Sequence, residues 1–136
     1  MGAYLADQKL VPDLILCSDA VRTRETLKKV LPHFGAARPE IVIEPKLYLA
    51  PEATMLGLLQ HIKGNFKNVL MIGHNPGTHA LALELAGSGS RRDIATMSIK
   101  FPTCALAVMT FEGDDWSKIK PESGRLQQFQ TPKRLT

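Results

Sequence analysis

The apolar positions of this sequence alternate between short continuous runs and helical stripes, the rhythm of an α/β chain with a mostly parallel sheet. Residues 2–9 read as the end of a helix. Asp13-Leu-Ile-Leu-Cys17 is an apolar run too short for a helix, which predicts a strand buried on both faces. Ser18 or Asp19 is placed to cap the next helix, where Leu27, Val30, Leu31 and Phe34 recur at i, i+3, i+4 and i+7 before Gly35. Ile41-Val-Ile43 predicts a second strand. It leads through Leu47-Tyr-Leu-Ala50 to Pro51 at a first helical turn, and Met55, Leu58, Leu59 and Ile62 repeat the stripe up to Gly64. Asn68–Ile72 predicts a third strand, followed by Gly-His-Asn-Pro-Gly and a helix over 76–86. GSGSRRD reads as a loop inside the domain. Cys104–Phe111 and Arg125–Gln130 read as two closing strands joined by EGDDWSKIKPESG.

Length and composition narrow the classes. The 136 residues make one domain, 1–136, and 44% hydrophobic with 22% charged residues excludes a disordered chain. No apolar stretch approaches the roughly 20 residues of a membrane helix, and the start MGAYLADQK lacks a signal-peptide pattern, so a cytoplasmic protein with no membrane partner is expected. Cys17 and Cys104 each lie in an apolar strand-like run and read as buried free thiols. No cysteine or histidine pair has zinc-ligand spacing, so neither metal nor cofactor is expected. The net charge of +4 is spread along the chain and aromatics are only 6%, which speaks against a nucleic-acid partner. A phosphate-containing small substrate or a phosphorylated protein fits such mild positivity.

Ligands of open α/β sheets bind beyond the carboxyl ends of the strands, so the residues after each strand hold the candidate chemistry. In Gly73-His74-Asn75-Pro76-Gly77, glycine permits a close turn, Asn75 is a good N-cap and Pro76 starts a helix; His74 is thereby held at a helix N-terminus, where free amides attract phosphate. The pentapeptide alone leaves two readings open, an anion site and a turn histidine satisfied by the backbone. Arg22 and Arg24 fall in the first turn of the preceding helix, where the dipole disfavours cations unless an anion is bound. Arg24 reads as solvent-directed; Arg22 gains weight when taken with His74. A cysteine-phosphatase loop is excluded, because Cys-x5-Arg would put arginine at position 23, which is Thr23. Glu52 is either a general acid or a first-turn carboxylate favoured by the dipole. His33, His61 and His79 read as surface or boundary residues.

These residues resemble a known family. Leu16-Cys-Ser-Asp-Ala-Val-Arg-Thr-Arg-Glu-Thr26 is similar to the Ser-Pro-x-x-Arg-Ala-x-x-Thr motif of the histidine phosphatase superfamily, with Asp19 in place of the usual proline. Val69–Gly77 resembles the motif of its second histidine. Leu47-Tyr-Leu-Ala50, Phe101–Val108 and Ser123-Gly-Arg-Leu126 resemble the SixA-type phosphohistidine phosphatases in particular. The resemblance implies a three-layer α/β/α, phosphoglycerate mutase-like fold. It implies catalytic roles for Arg22 and His74, a phosphate pocket of Arg22, His74 and Asn75, and Glu52 as nearest candidate for proton donor.

The family's nucleophile is a histidine in Arg-His-Gly or Arg-His-Ala at the end of a first, central strand. None of the four histidines here follows an arginine. The resemblance therefore implies a chain that starts inside its first βαβ unit, lacks that strand and is inactive as it stands. An uncovered strand slot implies in turn a homodimer or strand exchange. Three function classes follow: a phosphatase of the SixA type acting on phosphohistidine or small phosphoesters, a non-catalytic phosphate- or phosphoprotein-binding module, and an oligomerising fragment without a ligand.

Overall fold

In the computed structural model, which describes residues 1–135, the chain forms two compact units, Met1–Ala50 with Lys63–His74, and Pro51–Ile62 with Asn75 onward. The first unit is built on strand β1 (Leu14–Cys17), which has parallel neighbours on both sides, β2 (Glu40–Ile43) and β3 (Val69–Ile72), in the order β2-β1-β3. All four β1 residues are buried, as a central strand of a parallel sheet requires. Asp13 fixes the register at the entry to β3, its two carboxylate oxygens accepting the Lys67 and Asn68 N–H groups at 2.8 Å each.

Helix α1 (Gly2–Asp7) agrees with the helical reading of residues 2–9, and Leu5 is its buried anchor. Helix α2 (Val21–Val30) continues into a 3-10 turn, Leu31–Phe34, and buries Leu27, Val30 and Phe34 along the expected stripe. Gly35 ends it with φ at +60°, the left-handed conformation that glycine adopts without a Cβ penalty. The cap differs from the expectation. Ala20 occupies the N-cap position with no side-chain cap, because the Ser18 hydroxyl is turned to other partners.

The second unit holds α3 (Glu52–Gln60), α4 (Gly77–Leu85), β4 (Ala86–Gly89), α5 (Arg91–Ile99), β5 (Leu106–Phe111) and β6 (Gly124–Gln130). Its sheet runs β4-β6-β5, with β4 parallel and β5 antiparallel to β6. Ala82, Met97, Phe101, Leu126 and Phe129 form its core.

Two expectations are corrected here. GSGSRRD is not a loop: Gly87, Ser88 and Gly89 belong to β4 and the two arginines open α5, with the Ser90 hydroxyl accepting the Asp93 N–H at 3.3 Å. Cys104 is not a buried strand residue. It is exposed, in a turn with φ at +62°, two residues before β5. The six strands divide between two three-stranded sheets, in which β3 and β4 are each an outer strand.

Candidate phosphate site

The carboxyl ends of β1 and β3 lie side by side, since Cys17 pairs with Ile72, and the Ser18 N–H donates to the Ile72 carbonyl at 3.0 Å. Two residues past the end of β3, the His74 ring is delivered back to Ser18, with Nε2 and Oγ 2.8 Å apart. Ser18 is 0% exposed. Its oxygen also accepts the Ala20 N–H at 3.3 Å, leaving one lone pair and one proton to meet the imidazole. Tyr48, from the turn after β2, lies edge-on against His74, ring centres 5.5 Å apart and planes at 79°. Residues from the connections that follow the three parallel strands thus meet at His74.

The turn from β1 into α2 is tied down by Thr23, whose buried hydroxyl reaches the carbonyls of Ser18 and Ala20 at 2.9 Å each. This places the uncapped N-terminus of α2 beside Ser18, with Arg22 in its first turn. Arg22 is exposed, and its guanidinium is engaged in no ion pair among the described residues. An unpaired arginine, free first-turn amides and an imidazole fixed by a serine can together receive a tetrahedral anion. Neither Ser18, read from the sequence as a helix cap, nor Tyr48 was given a role in the site there. Both stand in the junctions after β1 and β2, and that placement was the available signal.

Cys17 is an internal thiol. It donates to the Ser18 carbonyl at 3.3 Å, and burial pushes its pKa up against the opposing hydrogen bond of Thr23 and the charge of Arg24. That is the environment of an inert cysteine.

Two further expected site residues belong to the second unit. Glu52 opens α3 half-buried, where a carboxylate complements the helix dipole. Asn75 uses both ends of its amide within its own unit, Nδ2 donating to the Phe101 carbonyl at 2.7 Å and Oδ1 accepting the His79 N–H at 3.2 Å. His79 is likewise structural, bonded to the Met97 carbonyl at 2.6 Å and stacked on Phe101. Among the described residues no group of three His, Cys, Asp or Glu side chains is arranged to hold a metal ion, and no helix is long and apolar enough to cross a membrane.

No family model matches the sequence. An uncharacterized protein of Mycobacterium leprae is 35% identical over 133 residues, covering 97% of this chain and 79% of that protein. One from Mycobacterium tuberculosis is 34% identical over 134 residues, covering 97% and 81%. Among solved structures, a protein of Agrobacterium tumefaciens assigned as the phosphohistidine phosphatase SixA matches 96% of this chain and 75% of its own, with TM-score 0.74 and 28% identity. The protein histidine phosphatase SixA complexed with tungstate matches at TM-score 0.74 and 23% identity, over 99% of this chain and 78% of its own.

The chain belongs to the histidine phosphatase superfamily. Its fold is the SixA type, a mixed α/β architecture of the phosphoglycerate mutase-like class. In this histidine phosphatase fold, the shared carboxyl edge of β1 and β3 is where Ser18 and His74 meet.

Proposed function

We propose that this chain recognises the phosphoryl group of a phosphorylated substrate, a phosphohistidine or a small phosphoester, through Arg22 and His74. The observation that carries this reading is the Ser18-fixed imidazole of His74 beside the uncapped first turn that bears Arg22. The planar guanidinium donates two parallel hydrogen bonds to one oxyanion, and the imidazole N–H adds another donor. Both groups supply donors for oxygens that carry charge in phosphoryl transfer, the electrostatic task on which that chemistry depends. The tungstate complex of a SixA protein of the same fold supports the reading, since tungstate is a tetrahedral oxyanion like phosphate. Glu52 is the proposed proton donor to the leaving group.

Phosphoryl transfer through a phosphohistidine intermediate requires a nucleophilic histidine, and none of the four here stands in an Arg-His-Gly or Arg-His-Ala context. This observation favours a second reading, in which the chain alone binds phosphate without turning it over. Titration with inorganic phosphate, followed by nuclear magnetic resonance, tests the shared premise. Shifts confined to the Ser18–Arg24 and Gly73–Asn75 amides and lost in His74→Ala are expected; no response to phosphate overturns both readings. Incubation with phosphohistidine then separates them. Release of phosphate at a rate above the uncatalysed background would establish turnover and displace the binding-only reading. We further propose that the outer edges of β3 and β4 support association between copies of the chain.

A further inference from the structure

We propose that Tyr48 and Leu49, with Val21 beside Arg22, form an apolar rim that receives the planar leaving group of the substrate and selects aryl and imidazole phosphates over alkyl ones. This rests on the phosphate-holding role given above to Arg22 and His74.

The turn after β2 is anchored at both ends. Leu47 is 0% exposed and Ala50 6%, and the Ala50 N–H closes the turn on the Leu47 carbonyl at 3.2 Å. Between these anchors, Tyr48 and Leu49 are 57% and 62% exposed. Leu49 moreover holds φ at +49°, a left-handed conformation disfavoured for a residue with a Cβ. Two large apolar side chains are thus held out in water on a strained turn, where polar residues or glycine would fit more favourably. Backbone strain of this kind persists chiefly where a site requires it.

The position of the turn gives the exposure its meaning. Isolated surface leucines need no explanation. Here Tyr48 is in edge-on contact with His74, and His74 is bonded to Ser18, whose oxygen receives the Ala20 N–H immediately before Val21. Val21 is 70% exposed on the first turn of α2, adjacent in sequence to the cationic Arg22. Tyr48 therefore borders an anion-attracting point, with Leu49 next to it in the chain and Val21 next to Arg22. A ligand matched to both carries a charged phosphoryl group and a flat apolar body. An aromatic ring or imidazole stacks against Tyr48 and covers Leu49, whereas a polar alkyl chain gains little from either.

Titration of the 136-residue chain with inorganic phosphate, phenyl phosphate and glycerol 3-phosphate, read by chemical shifts, tests the rim. Phenyl phosphate should bind about tenfold more tightly than glycerol 3-phosphate, the scale on which an apolar contact discriminates. Leu49→Gly and Tyr48→Ala should each reduce that preference to about threefold or less. Leu49→Gly keeps the fold, because glycine adopts the same φ without strain, and its inorganic phosphate affinity should stay within about twofold of the parent. Equal affinity for the two esters in the parent chain, or an undiminished preference in both variants, overturns the rim while leaving the phosphate site standing if inorganic phosphate binds. If none of the three ligands binds, the phosphate site falls and the rim with it.

Discussion

Ser18 Oγ and His74 Nε2 lie 2.8 Å apart, joining the residue after β1 to the second residue after β3. Parallel strands have no hairpin to unite them, so this bond between side chains does at the sheet's carboxyl edge what backbone pairing does within the sheet. It fixes the imidazole of the candidate site from below, at a serine that solvent does not reach.

Ser18→Ala should therefore act on both stability and ligand binding. The substitution leaves His74 without this partner and the Ala20 N–H without its acceptor, a loss of about 1 kcal/mol for half-buried groups. Urea denaturation measures the first effect. Phosphate titration measures the second, with weaker binding expected than in the parent; unchanged phosphate affinity would show that His74 needs no such support.

The two cysteines should separate cleanly in reactivity. Cys104 is exposed and should be alkylated by iodoacetamide in the native protein, while Cys17 should react only on unfolding. Mass spectrometry after brief labelling distinguishes them. The raised pKa of Cys17 also sets a sign: the native thiol keeps its proton where the unfolded chain loses it, so its contribution to stability is intact below the ordinary thiol value and is lost as pH rises towards the native one. Alkaline titration from about pH 8.5 upward should destabilise the parent more steeply than Cys17→Ala.

Two glycines should respond to alanine with opposite signs. Gly57 lies inside α3 with no neighbour within 4 Å of an added Cβ, so Gly57→Ala should stabilise by about 0.5–1 kcal/mol. At Gly87 the added Cβ would overlap the Glu122 carbonyl oxygen, and the Glu122 N–H is bonded to the Glu84 carbonyl at 2.8 Å. Backbone cannot yield there cheaply. Gly87→Ala should cost more than about 2 kcal/mol in thermal or chemical denaturation.

The outer edges of β3 and β4 should make the chain associate. Sedimentation velocity over a wide concentration range should show a species heavier than the 15.0 kDa monomer growing with concentration. A single monomeric boundary throughout would remove the proposal of edge pairing.

Much of the first unit was legible in the sequence. The apolar run Leu14–Cys17 had one physical solution, a strand covered on both faces, and the spacing of Leu27, Val30 and Phe34 specified the buried side of α2. The second unit was less legible. β4 is Ala-Gly-Ser-Gly, without a β-branched or aromatic residue, and it is a strand because its glycines permit close approach to residues 122 and 126. Only the fold supplies that reason. α5 did leave a local trace, Ser90 followed by Asp93 in the pattern of an N-terminal cap, but its core-facing Ile94 and Met97 are a short apolar stripe. At the candidate site, sequence pointed to Arg22 and His74, whereas Ser18 and Tyr48 became evident only when register and ring geometry brought them to the imidazole.

The Thr23 hydroxyl, resting against the carbonyls of Ser18 and Ala20, holds the β1–α2 turn in shape through contacts within the chain itself. The receptor for an anion is then ready before the anion arrives, and no slow rearrangement separates encounter from binding. Rapid-mixing traces with phosphate should accordingly follow a single exponential whose rate climbs linearly with ligand concentration.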